Sequence, residues 1–258
     1  MRFVRRWRPT GVRRDRSGTA VPRPRRDRHR DDHSGSVDGS TLPAMEAPTP
    51  RTEVHRLPER AVYDRDVINA ILDEALFCHV GFIDSGFPVV IPTIHARVGT
   101  TLYFHGSPAS RMLRSMKQGI EVSVAVTILD GLVVARTPFE QSLNFRSVIA
   151  FGEARLVDDP DEKMAALKAV TEHVTPGRWE DSRPSTKKEV QATLVLAVSL
   201  DEASAKVRTG PPEDEEEDLG LAYWAGVVPL AFVAVEPIPD EGVDWPAPDY
   251  LVNYARPG

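Results

Sequence analysis

The chain has 258 residues and a formal net charge of -6, but the charge is divided between two very different segments. Residues 1–44 hold twelve arginines and five aspartates, a balance of +7, which leaves -13 for the rest. A single cysteine excludes a disulfide framework, and no apolar run is long enough to span a bilayer. For the acidic folded part we expect no nucleic acid or membrane as partner and a cytoplasmic location.

The composition also predicts the domain boundaries. Residues 1–55 are rich in arginine and proline, and their few apolar side chains have no period, so they cannot form a core. We therefore predict a disordered N-terminal extension over 1–55, one folded domain over 56–236 and a proline-rich C-terminal tail over 237–258.

The first elements of the domain follow from hydrophobic periodicity. A helical pattern opens at residues 63–66, where Asp64 or Asp66 can cap the helix, and short strands follow over 78–84, 87–95 and 101–105. Next, a short helix is predicted over 108–117. Two strands, 121–129 and 132–136, then flank Asp130 and Gly131, a pair typical of hairpin turns.

The second half of the domain continues the β pattern. A long strand is predicted over 145–157, and a helix begins at Pro160 with Asp159 as its cap. Thr186 and Glu189 form a capping box before strand 193–200, and a last strand spans 227–235. Short strands with few helices between them predict a mainly β protein with peripheral helices, in which the strands form a closed antiparallel barrel.

One predicted helix carries a pattern suited to phosphate. With Ser107 as its cap, the helix over 108–117 has one face with two hydroxyls and two guanidinium groups, from Ser107, Ser110, Arg111 and Arg114. A helix N-terminus and an arginine fork both attract phosphate, and Gly106 lets the backbone approach closely. The alternative is an ordinary amphipathic helix with solvated arginines.

Other motifs of chemistry are missing from the sequence. It contains neither a dinucleotide-binding glycine motif nor a P-loop. The seven histidines have no metal-ligand spacing, so no metal site is predicted. We expect Cys78 to be a buried core residue.

Three stretches in succession resemble one known family. They are PVVIPTIHARVGTTLYFHGSPASRMLRSM, VTILDGLVVAR and SLNFRSVIAFGEARLV. They are similar to the flavin-binding split-barrel proteins of the pyridoxamine 5'-phosphate oxidase-like superfamily, and most similar to the nitroimidazole reductase type. The resemblance implies an antiparallel split β-barrel that binds FMN as a homodimer, with the flavin at the subunit interface.

The resemblance also implies roles for individual residues. The strand whose backbone faces the flavin ring matches Val90, Ile91, Pro92 and Thr93, and the phosphate pair matches Ser110 and Arg111. Met112 stands where the oxidases have lysine, so we expect Arg114 to supply that contact. Residues against the flavin or the facing subunit match Ser142, Asn144 and Arg146. His105 matches a histidine near the substrate; the other interpretation is a strand-end histidine bonded to the phosphate loop.

The expected function is that of an FMN-dependent oxidoreductase. It would reduce a small planar acceptor, such as a nitroaromatic or a quinone, with His105 donating a proton or hydrogen bond. Two alternatives remain open at this point. One is a barrel that holds deazaflavin F420 or haem in place of FMN, and the other is a flavin-holding or small-molecule-sequestering module without turnover.

Overall fold

The computed structural model describes residues 48–116 and 119–255. Most of the predicted N-terminal extension, residues 1–47, lies outside them. Residues 48–55 contact the sheet, because Thr49 Oγ1 donates a hydrogen bond to Glu202 at 2.8 Å and Arg51 pairs with Glu121 at 2.7 Å. This part of the predicted extension is therefore attached to the domain.

The described residues form ten strands and five helices. The strands are β1 (Ala61–Val62), β2 (Cys78–Asp84), β3 (Phe87–Thr93), β4 (Ala96–Val98), β5 (Thr101–Gly106), β6 (Ile120–Val134), β7 (Ser142–Leu156), β8 (Leu194–Ser199), β9 (Glu202–Arg208) and β10 (Gly226–Pro229). The helices are α1 (Arg65–Glu74), α2 (Arg111–Met116), α3 (Pro160–Val174), α4 (Lys187–Gln191) and α5 (Asp249–Val252). None of the described helices is long and apolar enough to cross a membrane.

The strands form an antiparallel sheet that is split rather than closed. Its order is β3-β2-β6-β7-β8-β5-β4, and β7 pairs with β9 before it pairs with β8. The mainly β split barrel is confirmed, whereas the expected closure is wrong, because no described residue of β3 pairs with β4. Pro88 and Pro92 lack the N–H groups that a further ladder on β3 would need.

The long pair β6 and β7 corrects a second prediction. Asp130 and Gly131 do not form a hairpin turn, because β6 runs through them and pairs with β7 on both sides. The register shifts between Leu129 and Gly131, so Asp130 is the extra residue of a β-bulge. β7 begins at Ser142 and is long enough to pair with β6 beyond this point, which favours a bulge over a turn.

Two cores lie on opposite faces of β5 and β8. Leu102 and Phe104 point into the barrel, where they join Ile68 and Leu72 of α1 in the main core. The side chain between them, Tyr103, points outward into a second cluster that α3 covers, with Val157, Ala166, Val195 and Ala197. Side chains alternate along a strand, so odd-numbered residues of β5 face α3.

The predicted helix caps are confirmed. Asp64 accepts a hydrogen bond from Val67 N, and Asp159 Oδ1 accepts from Glu162 N at 2.7 Å. Thr186 and Glu189 bond reciprocally, as a capping box requires.

The last predicted strand is shorter than expected. β10 ends at Pro229, whose ring nitrogen cannot donate to a ladder, and it faces the short stretch of β6 from Gly131 to Val134. The chain then continues without regular structure, and Phe232, Val235 and Ile238 are each more than 80% exposed. Within the predicted tail, Tyr254 donates a hydrogen bond to Val174 O at the end of α3.

Candidate functional site

The segment predicted to bind phosphate is a turn followed by a short helix. Ser107 Oγ accepts a hydrogen bond from Ala109 N at 3.2 Å, and Ser107 O accepts from Ser110 N at 2.9 Å. This local turn delays the helix, so α2 begins at Arg111 rather than at residue 108. Ser110 O accepts from Arg114 N, which makes Ser110 the residue that precedes the helix.

The other face of α2 packs on the sheet. Met112, Leu113 and Met116 are buried, whereas Ala109 lies in the preceding turn and is exposed. A Cβ added to Gly106 would lie 2.9 Å from Leu113 Cδ1. Gly106 therefore permits close packing of α2 on β5, a reason different from the predicted approach of a phosphate.

The two arginines of α2 line a pocket of about 450 Å³, which we call the arginine pocket, with Ile83, Asp84, Ser85, Ser115 and Ile120. Arg111 Nε donates to Asp84 Oδ2 at 2.5 Å, and Ser115 donates to the other oxygen. The Arg111 hydrogen bond lowers the pKa of Asp84, so the carboxylate stays ionised. Arg114 forms no ion pair with a described residue, so its charge is available to an anion.

β3 places the expected flavin-facing strand at an edge of the sheet. Val90 and Pro92 are exposed on its outer face, while Ile91 and Thr93 are half-buried on the other. In the described structure β3 pairs only with β2. Its outer edge can therefore offer backbone groups to a ligand, as the resemblance implies.

The residues at the start of β7 contact their own chain. Asn144 is buried, accepts from Arg208 at 2.6 Å and donates to Gly210 O at 3.0 Å. Arg146 binds both Asp130 and Glu74, and the hydrogen bonds to these carboxylates raise its pKa. Ser142 is half-buried and begins the strand. Asn144 and Arg146 thus also stabilise the domain itself.

One chain does not bring all the expected site residues together. The arginine pocket borders Ile120 at the start of β6, whereas Arg146 pairs with Ile128, eight residues along that strand. At about 3.4 Å per residue the two regions are roughly 27 Å apart. Arg111 and Arg146 of one chain therefore lie in separate parts of the sheet.

His105 lines a second cavity, of about 350 Å³, which we call the His105 cavity. It lies where α3 covers the outer face of β5. Its wall combines apolar side chains with polar ones: Ile94, Leu167, Val170, Val174, Trp179 and Val190 are apolar, and Thr171, Thr175, Ser185, Glu189 and Thr193 are polar. Nδ1 of His105 is buried and has no hydrogen-bond partner, and His105 forms no hydrogen bond with any described residue. Burial lowers the pKa of His105, so the imidazole is neutral at pH 7.

Only one wall of this cavity has a signal in the sequence. Leu167 and Val170 of α3 recur at the spacing of one helix face. The second wall comes from the loop after α3, through Trp179 and Ser185, which have no pattern that relates them to His105.

Two other histidines are structural. His95 Nε2 lies 2.9 Å from Leu72 O, and His173 Nε2 lies 2.8 Å from Ala75 O. Their ring centroids are 4.8 Å apart. His173 of α3 and His95, which precedes β4, therefore connect these two elements with the end of α1. Among the described residues, no group of three or more His, Cys, Asp or Glu side chains is arranged to hold a metal ion.

The sequence as a whole matches one protein family. The family model described as pyridoxamine 5'-phosphate oxidase matches residues 64–207, more than half of the chain. The chain belongs to this family. The expected superfamily is thereby confirmed, and the matched range contains β3, β5, α2, α3 and both cavities' main residues.

Two solved structures resemble this pyridoxamine 5'-phosphate oxidase family member over most of their length. The flavocytochrome Anf3 from Azotobacter vinelandii is 40% identical, with a TM-score of 0.76, and the match covers 82% of this chain and 99% of that one. The FAD and haem binding protein from Mycobacterium smegmatis is 38% identical, with a TM-score of 0.69, over 74% of this chain and 95% of that one.

A third solved structure is less similar. It is a protein of Bacteroides thetaiotaomicron assigned to 5-nitroimidazole antibiotic resistance, 25% identical, with a TM-score of 0.47, over 57% of this chain and 86% of that one. Among curated proteins, none matches this family member.

Proposed function

We propose that this protein binds a flavin and passes electrons from it to an acceptor held beside His105. The main support for this proposal is that two cavities lie beside one short segment, residues 105–114. His105 opens one cavity at the end of β5, and Arg111 and Arg114 line the other on α2. The names of the relatives that are 40% and 38% identical, a flavocytochrome and an FAD and haem binding protein, support a flavin.

The arginine pocket supports binding of the flavin phosphate. Arg111 and Arg114 would hold it, because guanidinium groups donate several charge-assisted hydrogen bonds to phosphate oxygens. Asp84 keeps Arg111 oriented by its hydrogen bond and lowers the positive charge of the pocket. FMN, which the resemblance implies, and FAD, which the Mycobacterium smegmatis relative binds by name, both carry such a phosphate.

A bound flavin supplies hydride or electron transfer, and the chain supplies position and access. The backbone of Val90, Ile91, Pro92 and Thr93 would support the flavin ring from the free edge of β3. A nitroaromatic or a quinone is the acceptor that the resemblance implies. The apolar wall of the His105 cavity suits such a planar molecule, and neutral His105 would donate a hydrogen bond rather than a proton from an imidazolium.

The proposal includes a homodimer with the flavin at its interface. Exposed side chains of β2, β3, β6 and β7 share one face, which we call the outer sheet face: His79, Val90, Pro92, Thr127, Leu129 and Ile149. Two of its members belong to the expected flavin strand. A second copy on this face would bring its own surface next to the flavin strand.

The test begins with the purified full-length protein. We expect a yellow protein with about one FMN or FAD released per chain, and reoxidation when the dithionite-reduced protein is mixed with a nitroaromatic or quinone. A colourless protein that ignores both added flavins would contradict the proposal. Deazaflavin fluorescence would instead indicate F420, and a reduced flavin that no acceptor reoxidises would indicate the flavin-holding module.

A second candidate acceptor is haem, and the names of the same two relatives favour it. A bound haem supplies one-electron chemistry and requires one axial ligand from the protein, so a cluster of histidines is not needed. His105 is the candidate for this ligand, because it lines a cavity and forms no hydrogen bond with a described residue. Haem and a planar organic acceptor would compete for the same cavity, so only one of them can be the partner of the flavin there.

A further inference from the structure

One stretch near the C-terminus, residues 230–238, leaves its apolar side chains bare, and we call it the apolar segment. It has no regular secondary structure, and Phe232, Val235 and Ile238 are each more than 80% exposed. No backbone hydrogen bond joins residues 231–239 to another described residue. Monomeric soluble proteins rarely expose a continuous apolar run of this kind, so its exposure marks a surface that a partner covers.

The chain is attached to the domain on both sides of the apolar segment. At its start, β10 pairs with β6, and Leu230 N donates a hydrogen bond to Asp130 O at 3.0 Å. Beyond its end, Tyr254 donates a hydrogen bond to Val174 O of α3 at 2.8 Å. The apolar segment therefore belongs to a loop with two anchors and is not a free tail.

The apolar segment lines a groove of about 970 Å³ with residues of the sheet. The other lining residues include Phe77, which precedes β2, and Thr127 and Leu129 of β6. Thr127 and Leu129 are also members of the outer sheet face, so the groove continues that face toward the C-terminus. The outer sheet face and the apolar segment thus form one continuous apolar surface.

The charges around the apolar segment limit the kind of partner. Residues 231–249, which we call the C-terminal loop, contain no lysine or arginine and five carboxylates: Glu236, Asp240, Glu241, Asp244 and Asp249. An anionic lipid surface would repel this loop, because segments that dock on such surfaces carry basic residues. The partner therefore needs an apolar surface with positive charge beside it.

A second copy of this chain has such a surface. On its outer sheet face Leu129 and Ile149 are exposed, and Lys206 of β9 points to the same side, opposite Ser147. The ammonium group of Lys206 bonds the carbonyl of Arg56 rather than a carboxylate, so it can attract an acidic loop. In a two-fold dimer the contact forms twice, because each chain carries both surfaces.

We propose that the apolar segment of each chain packs on the outer sheet face of its partner in the homodimer. This inference rests on the homodimer of the proposed function and adds the segment that holds the two chains together. The flavin strand is part of the outer sheet face, so the apolar segment of one chain lies near the flavin site of the other.

The main experiment replaces Phe232 of the full-length protein with the photo-crosslinking residue p-benzoylphenylalanine. We expect irradiation to produce covalent dimers on a denaturing gel. Mass spectrometry should place the cross-links in peptides that contain Leu129 or Ile149. The same replacement at Phe139, which is 91% exposed on a loop outside the sheet, is the matched control and should give no covalent dimer.

A charge in the apolar segment provides a second measurement. Phe232→Asp should raise the dimer dissociation constant on the order of 30-fold, as expected for a central interface residue. Sedimentation velocity measures this shift, and Phe139→Asp should keep the wild-type constant. Flavin content and the unfolding temperature show that both variants are folded.

A dimeric protein in which position 232 forms no cross-link to the partner chain would overturn this inference and leave the homodimer and the flavin proposal intact. An unchanged dissociation constant in Phe232→Asp would have the same meaning. A monomeric wild-type protein that binds flavin would contradict this inference and the homodimer, but not flavin binding. Binding of the wild type to phosphatidylcholine vesicles, lost in Phe232→Asp, would overturn the inference in favour of a lipid surface.

Discussion

At the scale of single residues, Arg111 and Arg114 have the same charge but different surroundings. Arg111 already donates to Asp84, whereas Arg114 has no ionic partner among the described residues. A bound phosphate would share Arg111 with the Asp84 carboxylate. We therefore expect Arg114, although it lies outside the family's Ser-Arg pair, to contribute strongly to flavin binding.

Replacing Arg114 tests this expectation. Arg114→Ala should weaken flavin binding by about 10- to 100-fold, because a hydrogen bond to a charged group contributes about 1.5–3 kcal/mol. The measurement is a fluorescence titration of the flavin-free protein. Arg178→Ala, another exposed arginine, should bind flavin like the wild type. Equal affinities of Arg114→Ala and wild type would show that the phosphate binds elsewhere.

Cys78 allows a second prediction at this scale. Burial raises the pKa of its thiol to about 12. Because the pKa of Cys78 is raised, almost none of this thiol is ionised at pH 8, and the thiolate is the reactive form. We expect no alkylation of native protein by iodoacetamide at pH 8 and complete alkylation in urea, measured by mass spectrometry. Rapid labelling of the native protein would contradict the buried position of Cys78.

At the scale of elements, short helices were harder to predict than long ones. α3 begins where its cap predicts, because Asp159 and Pro160 act locally. The start of α2 depends instead on Ser107, whose hydroxyl bonds the amide of Ala109 and closes a turn first. The Ser107 hydroxyl and a helical turn compete for the same amide, and packing as well as sequence decides which of them bonds it.

The cap of α3 gives a prediction for stability. Asp159→Ala should lower the free energy of unfolding by about 1 kcal/mol, because two amides at the helix start lose their acceptor. Urea unfolding measures this change. Asp158→Ala, an exposed neighbour, is the matched control and should be close to neutral. A larger loss in Asp158→Ala than in Asp159→Ala would show that the cap is not what stabilises α3.

At the scale of the whole molecule, the distribution of site residues is the main observation. The arginine pocket borders the start of β6, Arg146 pairs with β6 eight residues further along, and the outer sheet face connects the flavin strand with exposed Ile149. Arg146 lies on the opposite face of β7 from Ile149, so a second copy on the outer sheet face would meet the flavin strand but not Arg146.

A charge on the outer sheet face tests the homodimer. Ile149→Asp should raise the dimer dissociation constant on the order of 30-fold, since a central interface residue contributes about 2 kcal/mol or more, and flavin content should fall with it. Sedimentation velocity over a concentration series measures this shift. Phe139→Asp introduces the same charge on a loop outside the sheet and should remain dimeric. A monomeric wild-type protein would contradict the homodimer itself.

Much of the fold was predictable because its signals are local. The caps of α1, α3 and α4, the alternation along β5 and the family motifs around Ser110 and Arg111 each depend on a few neighbouring residues. The split barrel followed from the resemblance, whereas its closure, the turn at Asp130, the start of α2 and the length of the last strand were wrong. Asp130 shows the limit: its pairing with Gly131 is typical of a hairpin, but the length of β7 makes a bulge the better solution.

The sequence by itself determined the family, the strand-rich domain and the basic segment after β5, because each depends on residue types in a fixed order. Tertiary structure decided which of these residues meet. It turned the odd-numbered residues of β5 toward α3, buried Nδ1 of His105 beside a cavity, and separated Arg146 from the arginine pocket. These relations join residues that are far apart in the chain, and long-range packing leaves no periodic signal in the sequence around them.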